Sequence, residues 1–181
     1  MTQLIEWFST TYPKHKKALL NCHHNFDEKE TNPYHVEGDC WSHTMMVCKV
    51  AELKGYDKVV QVSALLHDLG KPSSRKINPK NNHVQFFGHE EKSALLAQPL
   101  LEALVKKEEI TKEESLEIEE LILLHGTLYK LSHEEIVEKF RGREVFFRHL
   151  VELVECDSLG RFANTPNQRA FHKEELLNLF R

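Results

Sequence analysis

The stretch Val62-Ser-Ala-Leu-Leu-His67-Asp68-Leu-Gly70-Lys-Pro72 places two adjacent metal-capable side chains at the end of an apolar run. The glycine and the proline that follow the pair are helix-stopping residues, so the pattern predicts a buried helix over 57–69 that ends at His67 and Asp68. Neighbouring side chains on a helix point about 100° apart, so both can reach one ion only if the helix axis lies beside it. A metal site built on this pair therefore needs ligands from other helices.

The composition predicts a soluble globular chain with a real core. It has 181 residues, 40% hydrophobic and 29% charged, with a formal net charge of −4, which excludes a disordered chain and a chain that is basic overall, as nucleic-acid binders are. No apolar run approaches the roughly 18 residues of a membrane span, and the N-terminus lacks a signal-peptide pattern. We therefore expect no membrane partner and a cytoplasmic location. The four cysteines include no Cys-x-x-Cys pair and fit reduced thiols.

Helical periodicity recurs along the chain and predicts an all-α fold. Asp39 is a candidate N-cap, Thr111 and Ser132 begin capping-box patterns, and Gly55 is placed to end a helix. Besides the 57–69 helix, the patterns predict helices over 3–10, 14–21, 40–54, 89–106, 111–125, 132–140, 143–159 and 167–180.

The polar stretch 70–87 interrupts this helical pattern. Within it, 75–77 and 83–86 could pair as one small β-hairpin around Asn78-Pro79. Connections of this length are unusual in compact domains and are often functional. The stretch also carries several cations, among them Lys71 and Arg75, which would suit an anionic substrate.

Candidate metal ligands fall at or near the predicted helix ends. The side chains concerned are His43, His67, Asp68, His89, His125 and Asp157. A helical bundle can gather such ends in one cleft. Imidazoles combined with carboxylates form a borderline-hard donor set that suits Mn, Fe, Co, Ni or Zn, and suits Mg less well.

The order of these residues resembles the signature of HD-domain metal-dependent phosphohydrolases. Four fragments carry a closer resemblance, to the HD domain attached to bacterial tRNA nucleotidyltransferases: His35-x-Glu-Gly-Asp39-x-x-x-His43-Thr44, Leu-Leu-His67-Asp-Leu-Gly-Lys-Pro72, Phe87-Gly-His89-Glu90 and Asp157-Ser-Leu-Gly-Arg161. They span about residues 33–162. The resemblance implies an HD-domain helical bundle, a single domain over 1–181 with terminal helices as cover. The printed sequence shows no nucleotidyltransferase head, so we expect no CCA addition.

The resemblance also implies roles for individual residues. For a first divalent ion the implied ligands are His43, His67, Asp68 and Asp157. His89 and His125 are candidates for a second ion, so the resemblance is compatible with one or two ions. Asp68 would bridge the ions or orient the attacking water, and Lys71 would neutralise phosphate or developing charge, so these two are the catalytic candidates. Arg75 and Arg161 are candidate phosphate clamps, and His35 is a further candidate for substrate binding.

The leading hypothesis is a metal-dependent phosphohydrolase that cleaves a phosphomonoester or phosphodiester of a nucleotide or RNA end, such as a 2′,3′-cyclic phosphate. The alternatives are a deoxynucleotide phosphohydrolase or triphosphohydrolase, a non-catalytic module that senses a nucleotide or tRNA, and a structural subunit. No reading of duplex DNA is expected, and the oligomeric state stays open.

Several other residues allow a structural interpretation from the sequence alone. Glu37 and Asp39 fit either helix caps or residues that support metal ligands. The pair His23-His24 fits a surface turn. Four aromatic residues, more often part of a core than of a base-stacking site, are Trp41, Phe86, Phe87 and Phe162.

Overall fold

The computed structural model describes residues 1–25, 31–162 and 171–180, and most of these residues are helical. The helices are α1 Thr2–Thr11, α2 Pro13–Leu20, α3 Cys40–Lys54, α4 Lys58–Leu66, α5 Lys71–Ser74, α6 His89–Lys106, α7 Lys112–Leu124, α8 His133–Phe140, α9 Glu144–Leu159 and α10 Lys173–Leu177. Two short strands, β1 Lys76–Ile77 and β2 Val84–Gln85, pair antiparallel with Lys76 opposite Gln85. The all-α prediction with one small hairpin is confirmed.

Helix α4 forms the centre of the bundle and packs against α3, α7 and α9. Its apolar side chains are buried on most sides, as the sequence predicted. The helix ends earlier than predicted, at Leu66 rather than at residue 69, and His67 and Asp68 lie in the turn that follows. Pro72 does not act as a helix stop. It lies in the first turn of α5. The missing N–H of proline costs nothing there, because an N–H in the first turn has no carbonyl acceptor within its own helix.

The predicted helix-end signals are confirmed by their hydrogen bonds. The Asp39 carboxylate accepts from Ser42 N at 2.9 Å and begins α3. Thr111 and Ser132 each form a complete capping box. Gly55 ends α3 in the left-handed region, with φ of 68°, a conformation that glycine adopts without steric penalty.

Two glycines bring the ligand-bearing segments into contact. A Cβ on Gly70 would lie 2.4 Å from His89 O, at the start of α6, and Gly70 N donates to the Ser93 hydroxyl at 2.8 Å. A Cβ on Gly160, after the end of α9, would lie 2.6 Å from Val47 N in α3. Only glycine permits these approaches, which place the turn after α4 beside α6 and the end of α9 beside α3.

The chain termini cover this bundle. In α1, Phe8 stacks on Trp41 with ring centroids 5.8 Å apart, which places Trp41 in the core. The helix predicted over 167–180 lies partly outside the described residues. Within them it is shorter, with α10 followed by a 3₁₀ turn at Asn178–Phe180. All four cysteines are buried free thiols. No helix among the described residues is long and apolar enough to cross a membrane.

Candidate metal centre

Three of the candidate ligands are oriented by the turn in which they lie. Each donates its Nδ1–H to the backbone carbonyl three residues earlier: His67 to Ala64 O at 2.9 Å, His89 to Phe86 O at 2.8 Å and His125 to Ile122 O at 2.6 Å. Since a carbonyl oxygen can only accept, Nδ1 must carry the proton in all three rings. In the neutral form of each imidazole the lone pair is therefore on Nε2, the atom available to a metal ion.

His43 is oriented by a side chain instead. Its Nδ1 lies 3.0 Å from Glu37 Oε1, and its Nε2 lies 3.0 Å from Asp157 Oδ1. Burial lowers the pKa of His43, but the two carboxylates outweigh it and raise that pKa to about 9 in the protein without an ion. Burial raises the pKa of Glu37, and hydrogen bonds from His35 and His43 overcome this and lower it to about 2. Glu37 is thus an ionised carboxylate that fixes the His43 ring, whereas Asp39 serves as the helix cap.

The ligand atoms form two groups, His43 with His67 and Asp157, and Asp68 with His89 and His125, each within 4.8 Å. Asp68 lies between them, with Oδ2 3.2 Å from His67 Nε2 and Oδ1 3.4 Å from His89 Nε2. Two ligands bound at about 2.1 Å to one ion are roughly 3.0–3.4 Å apart at octahedral or tetrahedral angles. The distances from Asp68 to His67 and His89 and from His43 to Asp157 fit that geometry, whereas His67 Nε2 and Asp157 Oδ1 lie farther apart, at 4.0 Å.

The electrostatics of the second group also fit a cation. His89 Nε2 and His125 Nε2 lie 3.1 Å apart, and in the neutral tautomer that each Nδ1–H hydrogen bond favours, both atoms carry a lone pair. Two acceptors that face each other repel unless a positive charge lies between them. Burial and the neighbouring imidazoles lower the pKa of His125 to about 4, so this ring is neutral and ready to bind a metal at neutral pH.

Lys71 lies beside the Asp68 carboxylate. Its Nζ is 2.7 Å from Asp68 Oδ2 and 3.3 Å from His24 Nε2, and it lies 5.3 Å from the centroid of the Phe86 ring. Burial lowers the pKa of Lys71, but Asp68 and the surrounding negative charge raise it above its usual value. The ammonium is therefore charged although it is only 5% exposed.

His24 was missed by the sequence interpretation, which placed it in a surface turn. It is fully buried because the segment before α3 returns over it, with His24 N donating to Gly38 O at 2.7 Å. His24, His35 and Glu37 form a third group with metal-ligand spacing. We assign no ion there, since Glu37 Oε1 already accepts from His35 Nδ1 and lies 3.0 Å from His43 Nδ1, and His24 Nε2 already accepts from Lys71. No local sequence signal distinguishes His24 from its neighbour His23.

An open cleft of about 420 Å³ lies over both ligand groups. Among the residues that line it are His35, Lys71, Asp157 and Arg161. The His35 ring stacks on His24 at 4.5 Å and donates Nδ1–H to Glu37 at 2.8 Å. Burial and the Lys71 charge lower the pKa of His35 to about 4, so it faces the cleft as a neutral ring.

The structure brings the predicted site residues together with one exception. Arg75 is half-buried, donates from Nε to His23 O at 2.9 Å, and does not appear among the described residues that line the cleft. Its backbone lies where α5 ends, and its side chain reaches the backbone after the end of α2.

Comparisons with known proteins agree with the motif resemblance. The HD domain family model matches residues 40–144. A Multifunctional CCA protein of Burkholderia cenocepacia (strain HI2424) is 31% identical over 136 residues, covering 71% of this chain and 31% of that protein. A Multifunctional CCA protein of Methylobacillus flagellatus is 29% identical over 161 residues, which covers 81% of this chain and 36% of that protein. The chain spans about a third of the length of these relatives. No solved structure matches it.

Proposed function

The chain belongs to the HD domain family, a superfamily of metal-dependent hydrolases, and from this premise we propose that it is a metal-dependent phosphohydrolase. Its substrate is a phosphomonoester or phosphodiester of a nucleotide or RNA end, such as a 2′,3′-cyclic phosphate. One observation carries the proposal. Asp68 presents one oxygen to each of two ligand groups at the floor of an open cleft.

Six residues would hold the metal. A first ion is assigned to His43, His67, Asp68 and Asp157, and a second to Asp68, His89 and His125. When bound, a divalent Mn, Fe, Co, Ni or Zn ion, or less favourably Mg, lowers the pKa of a coordinated water and neutralises charge on a phosphoryl oxygen. Mostly buried ligands, His43 and His67 at 0% exposure and Asp68 at 1%, keep competing water away from the donor atoms.

The remaining residues act on the substrate. Arg161 lines the cleft and offers a planar guanidinium suited to bidentate contact with a phosphate. The Lys71 ammonium offsets the negative charge of Asp68 and of a phosphate that enters the cleft. Neutral His35 contributes a polar atom to the cleft wall. An RNA end is included among the substrates because the relatives are named multifunctional CCA proteins.

The test is a matrix of metals against substrates. Metal-free protein is loaded with Mn, Fe(II), Co, Ni, Zn or Mg and assayed on cyclic phosphates, ribo- and deoxyribonucleoside mono- and triphosphates, and short RNAs. We expect turnover by the wild type and its loss in Asp68→Asn. The matched control is Asp39→Asn, since Asp39 only caps α3 and Asn is an equally good cap.

Three outcomes would redirect the assignment. If no metal supports turnover on any substrate, but nucleotides bind, the chain is a sensor rather than an enzyme. If Asp68→Asn retains full metal content, measured on the same preparations, Asp68 is not a ligand. Turnover restricted to deoxynucleotides would favour the alternative of a deoxynucleotide phosphohydrolase or triphosphohydrolase.

A further inference from the structure

Three aromatic side chains with large exposed areas line the candidate cleft. They are Phe87 at 74% exposure, Tyr129 at 52% and Tyr34 at 51%. Large apolar side chains are normally buried, and exposed ones gathered at one concave site mark a binding surface. Single exposed apolar side chains elsewhere on the surface need no functional explanation, but three exposed rings that line one cleft indicate a binding site.

The structure separates these rings from aromatic residues that serve the core. Trp41 stacks on Phe8. Phe86 packs edge-on against His24 at 5.4 Å, with Lys71 5.3 Å above it. Trp41 is buried and Phe86 is only partly exposed, whereas the Phe87 side chain is 74% exposed.

Phe87 is held in place by the residues on both sides of it. The carbonyl of Phe86 accepts from His89 Nδ1 at 2.8 Å, and Gly88 adopts φ of 70°, a left-handed conformation that favours glycine. The chain therefore turns between an orienting carbonyl and a candidate metal ligand, and Phe87 projects outward at that turn. These backbone interactions place the Phe87 side chain beside the candidate ligand His89.

Tyr34 and Tyr129 reach the same cleft from other segments. Tyr34 N donates to Asn32 Oδ1 at 3.0 Å, and Asn32 Nδ2 donates to Val84 O at 3.4 Å, so the segment carrying Tyr34 is tied to the strand that precedes Phe87. Tyr129 follows the end of α7, four residues after His125. The three rings thus come from separate segments that also carry or support the candidate ligands.

We propose that Phe87, assisted by Tyr34 and Tyr129, forms a stacking site for the nucleobase of the substrate. This inference rests on the proposed function, because it places the phosphate of the same ligand at the metal centre. Every base has a π-face, so stacking on aromatic side chains recognises bases without selecting one. A cleft of about 420 Å³ falls in the range of single small-ligand sites. The site therefore selects phosphate esters that carry a base over those that do not.

The experiment compares binding of adenosine 5′-monophosphate and ribose 5-phosphate to the metal-loaded protein by calorimetry. We expect the wild type to prefer the nucleotide, and Phe87→Ala to lose about tenfold in nucleotide affinity with no change for ribose 5-phosphate. Phe87→Tyr should restore the preference. Phe162→Ala is the matched control, since Phe162 is 54% exposed but does not line the cleft.

The outcomes separate this inference from the proposed function. Equal affinity of the wild type for the two esters, or an equal loss for both in Phe87→Ala, overturns the stacking site. A base preference in a protein that hydrolyses nothing supports the stacking site while it refutes the phosphohydrolase. Because Phe87 is exposed, its replacement leaves the core intact, and an unchanged thermal unfolding curve verifies this.

Discussion

Replacing Glu37 with Gln tests how the candidate metal centre is held. The Glu37 side chain is 2% exposed and faces three N–H groups: the Nδ1–H of His35 and of His43 on Oε1 at 2.8 and 3.0 Å, and Phe162 N on Oε2 at 3.1 Å. Glutamine keeps the shape but has one acceptor oxygen and one donor amino group. The amino group must therefore face either the backbone N–H or the two imidazoles.

Both orientations of the introduced amide weaken the site. If the amino group faces His43, the ring accepts at Nδ1 and its proton moves to Nε2, the atom required for ligation. If the amino group faces Phe162 N, that backbone N–H loses its acceptor and two donors meet. Loss of a partner that orients a metal ligand reduces metal affinity by about 10–100-fold, or roughly 1.4–2.7 kcal/mol, and we expect Glu37→Gln to fall in this range.

The assay is a calorimetric titration of metal-free protein with Mn²⁺. Asp39→Asn makes the same change of carboxylate to amide two residues away, at a side chain that accepts from Ser42 rather than from an imidazole. We expect this control to bind Mn²⁺ like the wild type. Wild-type affinity in Glu37→Gln would refute the argument that the carboxylate fixes the His43 tautomer.

Three further results are expected. The metal-free protein holds the pKa of His43 at about 9, and an ion needs the neutral ring. Metal binding at pH 7.5 should therefore release a proton, and metal affinity should rise by up to about tenfold per pH unit toward pH 9. Calorimetry in two buffers of different ionisation enthalpy measures the released proton, and detecting none would contradict this expectation. Gly70→Ala forces a Cβ to 2.4 Å from His89 O and should lower the free energy of unfolding by about 1–3 kcal/mol in urea denaturation, and wild-type stability would show that the two segments separate freely. His125→Ala should reduce metal content from two ions per chain to one, so two retained ions would remove His125 from the ligands.

Features governed by local interactions were predictable from the sequence. The cap at Asp39, the capping box at Thr111, the left-handed Gly55 and the hairpin around Asn78-Pro79 each depend on a few neighbouring residues. The predicted end of the central helix was wrong by three residues, because the turn after His67 is set by contact with α6 at Gly70. Such contacts join segments far apart in the chain and leave no periodic pattern.

The candidate site likewise combines features that the sequence predicted with features that depend on long-range contacts. The order of the motif residues predicted which imidazoles and carboxylates would meet. It could not predict that His24 would be buried against Lys71, since that depends on the segment before α3 folding back over it. It also could not give the direction of Arg75, a long side chain that donates to the backbone at His23 instead of entering the cleft.

The hydrogen bonds from His67, His89 and His125 to carbonyls three residues earlier have a consequence for the order in which the centre is assembled during folding. Each of these rings is set by one turn of its own chain, and a helical turn forms in well under a millisecond. The tautomer needed for ligation is therefore selected locally, before the helices meet. His43 alone depends on a carboxylate from another segment, so the first ion site is complete only after the segment before α3 and the end of α9 have docked. During refolding, His67, His89 and His125 would therefore reach the ligating tautomer before His43 does.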